Sequence, residues 1–277
     1  MRPSSGRGVT YGRGSLTWRW PTTEAAQLHI ADTRDEALEA AVRRYDHLAQ
    51  AHGVEQVALM TDGPNLEVDR MNARAQRLRA EQGQLGPDQV ELPDLPYGLR
   101  AGDRITWTKP QSVPGQARIE NGSRGNIIDV DARQRRVLVR LDGTERDVEV
   151  GENAIETLRL AYAQHLYRQQ GATVQRAVSL TGGWQTTREG AYVQASRARD
   201  GTDWHISRDD LGIDGDDTDR IDRLAAAMRK PGIAVGTALS GGPPRRSQRA
   251  RLTHWAPALG SGGEPRVGPG VHDAGGW

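Results

Sequence analysis

The sequence predicts an α/β domain built on parallel strands and interrupted by a small antiparallel β module. Three observations carry this. Strand-like apolar runs alternate with amphipathic helices over residues 27–83, and the alternation resumes after residue 158. Between them, from Arg100 to about Leu158, short alternating runs are broken by turn signals. The chain is also long enough for a sizeable core: 277 residues, 36% hydrophobic. That core must rest on Leu, Val, Ile, Ala and Trp, because Phe is absent, and 33 glycines predict substantial loop or tail.

Residues 1–14 carry Arg2, Arg7 and Arg13 with no acid and read as loose. Residues 15–20 and 27–31 are short strand-like runs around Pro21. Thr33-Arg34-Asp35-Glu36 is a capping box, in which hydroxyl and carboxylate each close an orphan amide. The helix it opens runs through Leu38, Val42, Tyr45 and Leu48 and stops near Gly53. Val57 to Thr61 reads as a buried strand, and a second helix follows Pro64-Asn65 through Val68, Met71, Ala75 and Leu78 to Gly83. The texture changes at Pro93–Pro96. Asp103 to Thr108, Asn126 to Val130, Arg136 to Leu141 and Asp147 to Val150 then read as strands, with a hairpin turn at Asp142-Gly143. Their spacing fits a small antiparallel barrel of about 60 residues. Leu158 to Gln170 is expected to be helical and Val174 to Leu180 a strand. Thr186 or Thr187 caps a helix to about Arg199, and Trp204 to Ser207 closes as a strand. Acids from Asp214 to Asp219 open a last helix with Ile221, Leu224 and Met228, ending at Arg229-Lys230 as the helix dipole favours. Beyond Pro231 the Gly, Pro, Ser and Arg composition predicts disorder.

Composition excludes several chemistries. There is no cysteine, so disulfides, thiolate metal sites and cysteine nucleophiles are absent. The longest apolar runs are four or five residues, too short for a membrane span or a signal peptide, which predicts a soluble, cytoplasmic protein. Formal net charge is +1, yet of 37 Lys+Arg only Lys109 and Lys230 are lysines. That arginine bias fits either a high-GC genome or phosphate recognition by a planar fork of donors. Both lysines precede proline, so the chain holds no Walker A motif, which needs Lys followed by Ser or Thr. Asp35-Glu36 does not follow an apolar strand as a metal-binding Asp-Glu pair would. No two of the seven histidines stand at H-x-x-x-H spacing, and Asp214 to Asp219 lacks the alternation and closing Glu of a calcium loop.

Two segments carry the functional argument: residues 161–174, AYAQHLYRQQGATV, and residues 191–199, AYVQASRAR. They resemble motifs V and VI of RecD-like superfamily-one DNA helicases, most nearly the helicase half of conjugative relaxases of the TraA/TrwC (MobF) class. Val68-Asp69-Arg70-Met71-Asn72 is similar to a helix of the second motor domain in that family. Gly102-Asp103-Arg104-Ile105, with Asn121-Gly122 and Gly125, is similar to the signature of its inserted SH3-like module. The resemblance spans roughly residues 20–210 in the correct order. It implies a RecA-like 2A domain in two parts, 15–96 and 159–210, interrupted by an SH3-like 2B barrel at 97–158. A helix at 211–230 follows, with disordered termini at 1–14 and 231–277.

The resemblance further implies ATP and Mg2+ as cofactors of a full-length parent, with the metal ligands lying outside this chain. Its partners would be single-stranded DNA and the missing N-terminal motor and relaxase domains. By match to motif VI, Arg197 is the arginine finger, a role that commonly contributes about 10³–10⁵ in rate. The plainer alternative makes Arg197 and Arg199 solvated helix residues. By match to motif V, Gln170 and Gly171 bind nucleotide and couple it to the DNA track, and Thr173, at the strand entry, is a DNA-binding residue. His165, Tyr167, Arg168 and Gln169 replace the family's commoner Thr, His, Lys and Ala. Arg168 keeps a phosphate-binding charge; Tyr167 and His165 suit either DNA contact or packing. In the inserted module, Arg104, Lys109, Arg118, Arg124, the cluster Arg133, Arg135 and Arg136, and Trp107 suit single-strand binding by phosphate contact and stacking. Alternatively Trp107 fills the barrel and the arginines are solvated. The function implied is the C-terminal motor fragment of a conjugative helicase–relaxase, translocating 5′→3′ and lacking ATP hydrolysis alone. The alternative is a non-enzymatic stand-alone DNA-binding protein or a pseudogene remnant.

Overall fold

The computed structural model describes residues 9–12, 15–19, 27–112, 118–144, 146–166, 173–183, 186–212 and 214–231. In chain order, β1 (Val9–Gly12), β2 (Ser15–Arg19) and β3 (Gln27–Ala31) lead into α1 (Arg34–His52), β4 (Val57–Thr61) and α2 (Asn65–Glu81). Eight short strands follow: β5 (Gln89–Glu91), β6 (Gly98–Arg100), β7 (Arg104–Trp107), β8 (Arg124–Asp131), β9 (Arg136–Leu141), β10 (Asp147–Val150), then after α3 (Glu152–Ile155) β11 (Leu158–Leu160) and β12 (Ala163–His165). The described elements end with β13 (Arg176–Leu180), α4 (Arg188–Ser196), β14 (Thr202–Ser207), α5 (Arg208–Leu211) and α6 (Asp217–Ala227).

The main sheet has the order β1-β2-β3-β14-β13-β4-β12. From β3 to β12 every neighbouring pair is parallel, while β1 and β2 add an antiparallel edge. Strand alternation explains its two faces. Leu59 and Val178 point toward α1, whose Leu38, Val42, Tyr45 and Leu48 are buried among them. Burying each such side chain contributes about 1.5–3 kcal/mol. On the other face, Ile30 and Ile206 pack with Leu211 and Leu224, and Ala58, Met60 and Ala177 pack with Val174 and Ala198. The capping box forms as expected: Glu36 N–H donates to Thr33 Oγ1 at 3.2 Å and Thr33 N–H to Glu36 Oε2 at 3.1 Å.

The inserted module is a five-stranded antiparallel sheet of order β10-β9-β8-β7-β11. Its outer strands, β10 and β11, are not hydrogen-bonded to each other, so the pairing among the described residues is that of an open sheet rather than a closed barrel. Val137, Val139, Val148 and Val150 point inward, as their alternation predicts. Two signature glycines have steric reasons. A Cβ on Gly125 would lie 2.5 Å from the Arg140 carbonyl oxygen, and Gly102, at φ +90°, has the Gln84 carbonyl 2.7 Å from where its Cβ would be.

Three expectations are corrected. Residues 158–166 form no helix: Leu158 and Leu160 alternate with Arg159 on β11, which pairs with β7, and β12 pairs in parallel with β4. The side chain of Asn72 locks the second of these, accepting from Ala163 N–H at 2.8 Å and donating to its carbonyl at 3.1 Å. Residues 9–12, within a segment expected to be loose, are a strand paired with β2. The helix expected to reach about Arg199 ends at Ser196. The expected disorder at 1–8 and 232–277 concerns residues outside those described. No helix among the described residues is long and apolar enough to cross a membrane.

Candidate functional site

Because five strands are parallel, the sheet has a carboxyl end and an amino end, and the candidate residues divide between them. At the carboxyl end, Arg34 ties four elements together. Its Nε and Nη2 donate to the two oxygens of Glu67 at 2.8 Å each, and its Nη1 donates to the Thr181 carbonyl at 2.8 Å and Asp210 Oδ2 at 2.9 Å. Beside it, Asp62 Oδ2 accepts from Thr181 Oγ1 at 2.6 Å and Thr186 Oγ1 at 2.7 Å. Burial raises the Asp62 carboxyl above the usual carboxylate range, with the two threonine hydroxyls and Arg34 acting against it. His165 ends β12 in register with Thr61, half-buried at this same end of the sheet.

At the amino end stand Thr173 and Arg197. Thr187 caps α4, accepting from Gly190 N–H at 3.1 Å, and Arg197 follows at the helix C-cap, half-buried. Val174 N–H donates to the Arg197 carbonyl at 3.0 Å, and Arg199 N–H donates to the Val174 carbonyl at 3.0 Å. This parallel bridge between Val174 and Ala198 brings the two motif segments together. It sits about one strand length, ~15 Å at 3.3 Å per residue, from the carboxyl-end group. Tyr167, Arg168, Gln169, Gln170 and Gly171, the centre of the motif V segment, lie outside the described residues.

A cleft of about 970 Å³ lies between α2, the edge strand β12 and the inserted module. Asn65 and Asp69 line it from α2, Thr108, Lys109 and Arg124 from the module, and Gln164 from β12. Arg124 Nη2 donates to Gln164 Oε1 at 2.6 Å, joining module to sheet.

The module's other candidates separate by burial. Trp107 is 0% exposed and its Nε1 donates to Gln111 Oε1 at 2.8 Å, so no face of its ring is open to a base. The expectation that Trp107 stacks on DNA is therefore corrected: it is the largest side chain in the module's core. Arg104 is also structural, donating both terminal nitrogens to Asp142 and reaching Glu55. Arg118, Arg135 and Arg136 pair at the surface with Glu120, Glu152 and Glu149.

The module's orientation is held by a joint between Asp103 and Tyr162, each in one of the quoted segments. Asp103, fully buried, accepts from Tyr162 O–H at 2.7 Å, from Gln76 Nε2 at 2.6 Å and from Arg100 N–H at 2.7 Å. Arg79 stacks over the Tyr162 ring, its guanidinium carbon 5.3 Å from the centroid. Burial pushes the Asp103 carboxyl up to about 6 against the pull of these donors.

No protein-family model matches the chain, and no curated protein matches it. Among solved structures it is similar to a Bacteroides Pif1 helicase in complex with ADP-AlF3 and single-stranded DNA: 16% identity, TM-score 0.39, covering 70% of this chain and 54% of that one. A structure of two coordinating Pif1 helicases at forked double-stranded DNA gives 16% identity and TM-score 0.37, covering 71% and 52%; Candida albicans Pif1 gives 20% and 0.36, covering 62% and 53%. The chain thus spans about half the length of these helicases. Likenesses at this level define no activity for the chain.

Proposed function

We propose that this chain is the second RecA-like half of a superfamily-one DNA helicase motor, of the kind found in conjugative relaxases. In that reading it binds single-stranded DNA and supplies the arginine finger to an ATP site whose P-loop lies in another domain. The observation that carries it is the bridge between Val174 and Ala198, which joins the segment of the DNA-contact candidate Thr173 to that of the arginine-finger candidate Arg197. A motor must couple its nucleotide to its track, and a backbone bridge between the two segments offers such a coupling.

The chain's residues fit half of a nucleotide site. Arg197, held at a helix end by backbone bonds on both sides of Val174, suits a guanidinium that neutralises charge developing on a terminal phosphate. In this reading Mg2+ would be held by the domain that carries the P-loop. On the DNA side, Arg168 and His165 would meet the strand, with Gln170 and Gly171 coupling the nucleotide to it.

The test separates the two roles. Purified protein is titrated with labelled oligothymidine by fluorescence anisotropy at two salt concentrations. Affinity should fall with salt by a log–log slope of about −0.7 per phosphate neutralised. Arg168→Ala should weaken binding and Arg197→Ala should leave it unchanged. Equal loss from both substitutions would refute the assignment, and steady DNA-stimulated ATP hydrolysis by this chain alone would refute the half-site.

A further inference from the structure

Arg124 stands apart from the other buried arginines. Arg104, Arg176 and Arg220 each pair with an aspartate: Asp142, Asp203 and Asp217. Arg124 is half-buried, and among the described residues its side chain makes one hydrogen bond, to the neutral amide of Gln164, with no carboxylate in salt-bridge reach. Withdrawing a guanidinium from water without an anion is costly, and the cost is tolerated where the charge is needed. Burial, and Arg104 nearby, press this group below the ordinary arginine range; Asp142 opposes them but is itself held by Arg104.

Its position gives the charge a use. Arg124 lines the 970 Å³ cleft together with Lys109, Arg159 and the acids Asp69, Asp94 and Glu156. Three cations and three acids cancel formally, so the cleft is no broad basic track. Arg159 Nη1 is already engaged, donating to the carbonyls of Glu156 and Leu158 at 2.7 Å each, and Lys109 is exposed at the rim. Gln164 fixes the orientation of Arg124 from a strand whose next residue is His165. A planar fork held by one neutral acceptor keeps further N–H donors for a second one.

We propose that Arg124 forms a single phosphate subsite in this cleft, taking one backbone phosphodiester of single-stranded DNA, with Gln164 as its positioning residue. This rests on the single-strand reading above and adds a specific receptor to it. The strand then crosses the module beside β12 and leaves past His165.

The experiment is a salt series on labelled oligothymidine with the parent, Arg124→Gln and Arg124→Lys. Arg124→Gln should weaken binding about tenfold, as expected for loss of one charge-assisted hydrogen bond, and reduce the magnitude of the salt slope by about 0.7. Arg124→Lys should keep the slope, because the charge remains. A merely structural role would instead lower the unfolding midpoint and leave the slope unchanged. Parental affinity and slope in Arg124→Gln, with the parent binding, would overturn the subsite alone. Absence of binding by the parent at low salt would overturn the single-strand reading and the subsite with it.

Discussion

The joint at Asp103 makes a quantitative prediction about pH. Its carboxyl lies near 6 in the folded protein against 3.8 unfolded. The folded value is raised, so the native state binds the proton more tightly. The associated stability is fully present below 3.8 and is lost as pH rises through 6. For these two values, going from pH 5 to pH 7.5 costs about 1.4 kcal/mol. Other carboxylates titrate over the same range, so the readout must be a difference. Asp103→Asn keeps the shape but cannot ionise. We expect its stability relative to the parent, from urea unfolding at the two pH values, to improve by about 1.4 kcal/mol from pH 5 to pH 7.5. The constant cost of replacing an acceptor oxygen by an amide cancels in this comparison. A difference that does not change with pH, or that moves toward the parent as pH rises, would refute the reasoning.

Arg34→Ala should destabilise the domain by about 3 kcal/mol or more, because Glu67 and Asp62 would stay buried without their cation; chemical denaturation checks it, and a loss below about 1 kcal/mol would show that the cluster rearranges. Trp107→Phe should lower stability by about 1–2 kcal/mol through the lost volume and the lost bond to Gln111, while leaving oligothymidine affinity at the parental value. A selective loss of DNA binding in a stable Trp107→Phe protein would restore the stacking role that the structure removes.

Much of the scaffold is legible in the sequence because local signals and tertiary demands agree there. Thr33 and Glu36 cap α1 as their spacing requires, Val137, Val139 and Leu141 alternate along β9, and Asp216 with Asp219 closes the start of α6. Residues 158–166 are misread because three short apolar positions fit a helix or two strands equally well. What decides them is distant: β7 for Leu158 and Leu160, and Asn72 for Ala163. Trp107 has the same origin, since an aromatic among basic residues looks alike in sequence whether it faces solvent or core.

The candidate site is legible to a different degree at each end of the sheet. Arg197 and Thr173 are 24 residues apart, and the bridge at Val174 brings their segments together. Arg124 and Gln164 are 40 residues apart, and neither has a pattern around it that names the other. Their contact exists only because Asp103 and Tyr162 hold the module against the sheet, 59 residues apart in sequence and bonded at 2.7 Å. The joint therefore also sets the cleft that Arg124 lines. A change at Asp103 that loosened the module would be felt at Arg124, one strand away on β8, before it reached Arg197 at the opposite end of the sheet.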